Sequence, residues 1–470
     1  MCRASDEQQL GMSQTAGNEL DCRGIARPQC ANDPHKEDKM KAIGIDLGTT
    51  SICGVLLDCE GGGVLKKYTL QSEAFLQGAA SWEKIQDTEK IIVLAMEIVE
   101  QLLQDERDVA VIGVTGQMHG IVYYDAEGKA VSPLYTWQDQ RGNQPYQDTT
   151  YAGALDSFAG YGNVTDFYNR VNGIRPERAV GFCTIHDYLV MRLCGLKKAV
   201  IHTSDAASFG CYHLAEHTFS YENTEEVKDG FHIAGAYKNI PVSLAIGDNQ
   251  ASVFSTLSDE KALLVNIGTG SQITVISDRI VTAQDIECRP YFDGKYLLVG
   301  AALCGGRAYS LLKGFYEELL QEAGVSEDVY GIMNRLLARG GFTSQGFGLT
   351  VDTRFAGTRR QPELRGSITG ISTENFTPGN LTFGVLQGMI EELWQLYRKM
   401  GVERHNCFGS GNAIRLNPTL MRIIEERFGG TLRIPEHMEE AAFGAALYGL
   451  VACNAVENAE QAQKLIHYCV

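Results

Sequence analysis

Apolar residues along the chain fall into short runs that switch between a period of two and a period of about 3.6. Residues 42–58, AIGIDLGTTSICGVLLD, read as a strand, a tight Gly-Thr-Thr corner and a second strand, because β-branched and apolar residues flank the turn. Residues 263–278, LLVNIGTGSQITVISD, repeat the design: Gly48 matches Gly268, Thr49 matches Thr269 and Ser51 matches Ser271. A second echo follows in the same order, since VAVIGVTGQMHG at 109–120 and NCFGSGNAIRLN at 406–417 both run a strand into a glycine-marked turn. Two half-chains that open alike point to an internal duplication.

Between the hairpins the pattern turns helical. Over 88–105, Ile91, Ile92, Ala95, Ile98, Val99 and Leu102 recur at helical spacing. Asn417 and Pro418 have the chemistry of an N-cap and first helical residue, with Gly429 and Gly430 as the stop. Strands alternating with helices in both halves predict two α/β domains, 41–242 and 243–455, with the boundary near Pro241 and a C-terminal tail at 456–470. The cleft between the halves is then the expected ligand site. Residues 1–40 are polar, aperiodic and free of Phe, Tyr and Trp, which predicts a disordered extension. They also lack the apolar centre of a secretory signal.

Composition narrows the partners. Lys and Arg number 41 against 58 Asp and Glu, and a net charge of -17 repels nucleic-acid phosphates and anionic membranes alike. Small molecules remain, and a phosphorylated one must be held by local donors and a cation, against the global field. The 13 cysteines are odd in number and form no C-x-x-C pair, which predicts reduced thiols and a cytoplasmic setting. Apolar runs such as 91–98 are broken by charge before membrane-spanning length.

Three clusters carry candidate chemistry. Asp46 ends a strand beside a glycine turn, where a carboxylate can hold Mg²⁺ while Thr49 and Thr50 donate to phosphate oxygens; the alternative is an Asp that caps the turn. The absence of a Lys after the glycines and of a following helix excludes a P-loop. The second hairpin has neutral Asn266 at the equivalent place, so one copy carries the acid and one nucleotide per chain follows. Asp248, in AIGDNQAS, is placed to take a proton from an attacking sugar hydroxyl; the alternative is an N-cap of the segment from Asn249, a role that does not exclude the first. Gln117, His119, Trp137, Asp139 and Arg141 offer amide, imidazole, carboxylate and indole groups suited to a polyol; alternatively Trp137 is core and Asp139 with Arg141 a surface pair. His186 and Asp187 start an amphipathic helix with Leu189, Val190 and Leu193 on its buried side, a structural role.

The stretches GIDLGTTS, GQMHG, WQDQR, HDYLVMRLCG, GDNQAS, NIGTGSQ and GSGN, in this order over residues 41 to about 455, resemble the FGGY carbohydrate kinases. That resemblance implies two duplicated actin-like (ribonuclease H-like) ATPase domains, ATP and Mg²⁺ as cofactors, and transfer of phosphate to the terminal primary hydroxyl of a ketose. TIHDYLVMRLCGL, SDAASFGCYHL and VERHNCFGSGNAIRLNP are similar to the sedoheptulose-phosphorylating branch. A pentulose kinase acting on xylulose is the neighbouring alternative, and a non-transferring ATPase switch of the same fold is the alternative of another class. By motif, Asp248 is implied as the base, and Asp46 with Asp248 as the cation site. Gln117, Met118, His119, Trp137, Asp139 and Asn249 are implied in the sugar pocket. Thr49, Thr50, Gly268, Thr269, Gly305, Gly306, Gly409, Gly411 and Asn412 are implied at the nucleotide, and a homodimer is compatible with the family. One departure is that the family's frequent Gly-Glu-Arg stands here as Gly357, Thr358, Arg359.

Overall fold

The computed structural model describes residues 40–222, 225–340, 342, 348–358 and 360–469. The N-terminal extension expected over residues 1–40 lies outside them except for Met40, as does Arg359.

The first lobe is built on β1 (Lys41–Leu47), β2 (Ser51–Asp58) and β3 (Val64–Gln71), followed by helix α1 (Thr88–Leu103) and β4 (Val109–Gly116). Helices α2 (Ile185–Cys194) and α3 (Thr203–Ser208) precede β5 (Ile233–Tyr237) and β6 (Ile240–Gly247). These strands form one sheet in the order β5-β6-β4-β1-β2-β3, with β1, β4 and β6 parallel and the rest antiparallel. Asp87 caps α1 by accepting from the Lys90 amide, and all six residues of the expected apolar face are buried. Thr184 and Asp187 form a reciprocal capping box at the start of α2, and Leu189, Val190 and Leu193 are buried as expected.

Helix α4 (Asp248–Thr256) leads to the second sheet: β7 (Ala262–Ile267), β8 (Ser271–Ser277), β9 (Ile286–Pro290) and β10 (Tyr296–Ala302). Helices α5 (Gly305–Glu322) and α6 (Pro378–Lys399), β11 (Asn406–Ser410), α7 (Pro418–Phe428), β12 (Leu432–Pro435), α8 (Glu440–Ala452), α9 (Ala459–Gln463) and β13 (Tyr468–Cys469) complete it. Asn417 caps α7, with Pro418 at its first position and Gly429 at its end. The sheet order is β9-β10-β8-β7-β11-β12-β13. Within it β12-β11-β7-β8-β10 repeats the β6-β4-β1-β2-β3 of the first sheet, parallel and antiparallel pairs included. The duplication seen in the hairpins extends to five strands.

Two expected boundaries move. Pro241 lies inside β6, near its start, where the missing N–H is tolerated, and the first sheet runs on to Gly247. Residues 456–470, set apart as a tail, supply α9 and the edge strand β13, whose Cys469 and Tyr468 pair with Ile434 and Pro435. A third core joins the halves: Ala42, Val111 and Ile246 of the first sheet and Leu264 and Phe408 of the second meet Phe254 of α4 and Phe443, Leu447 and Leu450 of α8. No described helix is long and apolar enough to cross a membrane, and none of the described cysteines is in a disulfide.

Candidate active site

The parallel strands bring the acids together. In register, Asp46 of β1 lies beside Thr115 of β4, Thr115 lies beside Ile246 of β6, and Gly247 lies beside Gly116. The Thr115 hydroxyl donates to the Ile246 carbonyl at 2.7 Å and ties the strand ends together. Asp248 follows at once, as the first residue of α4, with Gly247 at the N-cap. Gly247 rather than Asp248 is the N-cap, and no side chain caps this end, so the Asp248 carboxylate is not spent on the cap.

Charge links the two acids. Burial, then the negative charges of Asp248 and Glu439, push the Asp46 carboxyl up to about 7. Burial also raises Asp248, an effect that His186 and Arg289 partly offset. Asp46 Oδ1 is buried without a hydrogen-bond partner. A buried carboxylate oxygen with no partner, within the field of two further acids, has the hard-oxygen chemistry that suits Mg²⁺. Glu439, which precedes α8 and pairs with Lys67, was not visible as a site residue in the sequence; nothing local distinguishes it from the neighbouring Glu440.

The hairpin and the polyol cluster share one network. Trp137 Nε1 donates to Thr49 Oγ1 at 3.0 Å, and Thr49 Oγ1 donates to Gln117 Oε1 at 3.3 Å. Gln117 Nε2 donates to Gln86 Oε1, and Gln86 Nε2 to the Thr49 carbonyl. Trp137 is 45% exposed, so its indole is no core residue and keeps a face open. Thr50 is exposed beside it. His119 has φ 73, donates from Nδ1 to the Ser208 carbonyl at 2.8 Å and stacks on Tyr161 at 4.3 Å, which fixes the ring. Met118 packs under Gly247, where a Cβ would lie 2.5 Å from its Cε. Asn249 reaches across to the second sheet, its Nδ2 3.4 Å from Gln272 Oε1.

Asp139 departs from expectation. It is fully buried, with Oδ1 accepting from the Arg141 amide and Nε, and Oδ2 from the Lys84 amide and Arg141 Nη2. Its oxygens are committed, so it supports the pocket wall and does not present itself to a sugar. The surface-pair alternative fails as well, because Arg141 is equally buried, over Tyr135 at 4.2 Å. Asp139→Asn is expected to lower stability by about 3 kcal/mol through the uncompensated guanidinium. A thermal melt checks this, and an unchanged Tm contradicts the assignment.

On the second lobe, the hairpin tip meets the start of α5: the Gly306 amide donates to the Gly268 carbonyl and the Arg307 amide to the Thr269 carbonyl. A Cβ on Gly306 would lie 2.4 Å from Gly268 O, so glycine is needed for the approach. Gly305 packs as tightly on Gly270, and Gly411, at φ 93, packs on Ile267. Gly268, Thr269 and Asn412 are exposed along this surface. Gly409 differs: it is buried in β11 against Leu432 and Ile414 and serves internal packing. Thr358, which stands where the family often has Glu, accepts from the Gln361 amide at 3.0 Å and closes a local turn.

The sequence matches the N-terminal domain of the FGGY family of carbohydrate kinases over residues 41–227 and the C-terminal domain over 263–453. The chain belongs to the FGGY family of carbohydrate kinases. It is thus a phosphotransferase acting on a small-molecule sugar, which sets aside the non-transferring switch. Sedoheptulokinase of Mus musculus is 27% identical over 463 residues, covering 86% of this chain and 96% of that protein. Sedoheptulokinase of Homo sapiens is 27% identical with the same coverage. The fold is the actin-like ATPase fold of solved FGGY kinases. A ligand-bound xylulose kinase from Lactobacillus acidophilus superposes with a TM-score of 0.78 at 17% identity, covering 92% of this chain and 93% of that one. Xylulose kinase from Rhodospirillum rubrum gives 0.78 at 18% identity, with the same coverage.

Proposed function

We propose that this FGGY kinase uses MgATP to phosphorylate the terminal primary hydroxyl of sedoheptulose, giving the 7-phosphate. What supports this reading is that Asp46 and Asp248 sit at the ends of neighbouring parallel strands and that the charge of one raises the pKa of the other. The heptulose is favoured by the likeness to the mouse and human sedoheptulokinases over most of both chains.

The sugar lies against the first lobe, with the Trp137 indole on its C–H face and Gln117, His119 and Asn249 at its hydroxyls. ATP lies on the second lobe, its phosphates near the Gly268–Gly270 corner and the start of α5, where the positive end of the helix dipole favours negative charge. Asp46 would hold Mg²⁺, which would supply charge neutralisation at the phosphates. As the primary hydroxyl attacks the γ-phosphorus, its proton passes to the Asp248 carboxylate and ADP leaves. Closure of the lobes excludes water, the competing nucleophile.

A panel of ketoses with ATP, with and without Mg²⁺, tests the reading. Sedoheptulose is expected to give the highest kcat/KM, about tenfold or more above xylulose, since one or two unmatched hydroxyls cost that much. Likeness to a Staphylococcus epidermidis xylulose kinase, 24% identical over 478 residues, keeps the pentulose as the rival. Preference for xylulose overturns the heptulose assignment.

A further inference from the structure

Next to the acids already described lies a second-lobe ion pair with no counterpart among the motifs. Glu287 and Arg289 are two apart on β9, so both project from the same face of the strand. The intervening Cys288 turns the other way and packs on the second-lobe core. Arg289 donates to Glu287 Oε2 from Nη2 at 2.5 Å and from Nε at 3.1 Å, with the guanidinium side chain only 15% exposed.

The strand that carries them lies against the first lobe. Gln250, on the first turn of α4, donates from Nε2 to the carbonyl of Pro290 at 2.9 Å and pins the end of β9 beside Asp248. β9 also packs on α3, the helix that carries Ser208, the partner of His119. Arg289 is close enough for its charge to be felt by the Asp248 carboxylate and by the phenol of Tyr161, the ring stacked on His119. Arg289 thus lies within electrostatic reach of both the candidate base and the ring that stacks on His119, with Glu287 paired to it.

We propose that Glu287 and Arg289 are the second lobe's share of the sugar site, binding the hydroxyl next to the one that is phosphorylated, with Arg289 as donor and Glu287 as acceptor. The inference rests on the kinase reading above. An Arg already neutralised by a carboxylate suits a neutral polyol better than a phosphate, because Glu287 would repel the latter. A donor and an acceptor side by side match one hydroxyl, which can accept and donate at once. Because the pair belongs to one lobe and Trp137, Gln117 and His119 to the other, a sugar that meets both holds the lobes together. A water molecule in its place bridges neither.

The test starts with the wild type and whichever ketose it phosphorylates best, so a wrong heptulose assignment shows there and leaves the pair to be measured on the preferred sugar. Arg289→Met and Glu287→Gln are each expected to raise KM for that ketose by about 10–100-fold, the loss of a charged hydrogen bond, with KM for ATP within twofold. Arg289→Lys is expected to recover part of the loss. The deciding measurement uses an analogue deoxygenated at the carbon next to the phosphorylated one. Wild type loses on that analogue what the variants lose on the full sugar, and the variants show no further loss. An unchanged sugar KM in Glu287→Gln, or a full further loss on the analogue, overturns the proposal. A role confined to folding would lower Tm without separating the two KM values.

Discussion

Asp248→Asn is expected to reduce kcat by about 10³-fold, within the range a positioned general base supplies, while KM for sugar and ATP changes little. The amide keeps the shape of the side chain at the start of α4 and loses only the capacity to accept a proton. Since each tenfold is about 1.4 kcal/mol, roughly 4 kcal/mol of transition-state stabilisation depends on this one oxygen pair. A pH profile adds a second readout. Burial raises the Asp248 carboxyl above its ordinary value, so in the wild type kcat/KM is lost as pH falls through that raised value and the base becomes protonated. Asp46 is raised too, to about 7, partly because Asp248 is charged, and the acid limb therefore belongs to the pair. Removing the Asp248 charge lets Asp46 ionise at lower pH, and the residual activity of the variant should show its acid limb displaced downward. A kcat within tenfold of wild type would assign the proton to another group.

The parts of this site that can be read from the sequence are those whose chemistry is local. A Gly-Thr-Thr corner and its Gly-Thr-Gly copy announce themselves because a tight turn between two β-branched runs leaves few alternatives. Asp46 and Asp248 stand out because each ends a strand, where parallel sheets present their functional groups. The copy at Asn266 even kept its place in the fold: it lies beside Ser410 in register, as Asp46 lies beside Thr115, and donates to the Ser410 hydroxyl at 2.6 Å.

What the sequence left open turns on side-chain partners that no motif spacing reveals. Asp139 and Trp137 are two residues apart and equally plausible as sugar ligands, yet Lys84 and Arg141 claim the carboxylate while the indole stays open. Gln86, absent from every motif, holds both Gln117 and Thr49. Arg289 and Glu287 read as ordinary charges on a strand until Gln250 ties that strand to α4. Pro241 looks like a boundary because proline punctuates loops, and only the pairing of β5 with β6 reveals that the strand tolerates it near its start.

Gly113→Val is expected to be the most disruptive single substitution away from the crevice, with a stability loss on the order of 5 kcal/mol and a Tm lower by about 10 °C or more. Gly113 lies in β4, and a Cβ built there would stand 1.8 Å from the carbonyl oxygen of Ala445 in α8. Gly44 in β1 meets the Ala442 carbonyl at the same distance, and Gly444 meets the Ala251 carbonyl of α4 at 1.9 Å. Backbone lies on backbone along this seam, so no side chain can rotate away to make room. Valine must push α8 off the first sheet, opening the core that Phe443, Leu447 and Leu450 share with both sheets. Because α8 comes from the second half of the chain and packs on the first sheet, the seam also ties the two lobes at the floor of the crevice. Gly63→Val is the control, since nothing lies within 4 Å of a Cβ there, and its Tm should stay within a few degrees of wild type. Equal melting of the two variants would mean that α8 does not sit on β1 and β4 at backbone contact, and the lobes would then need another pivot.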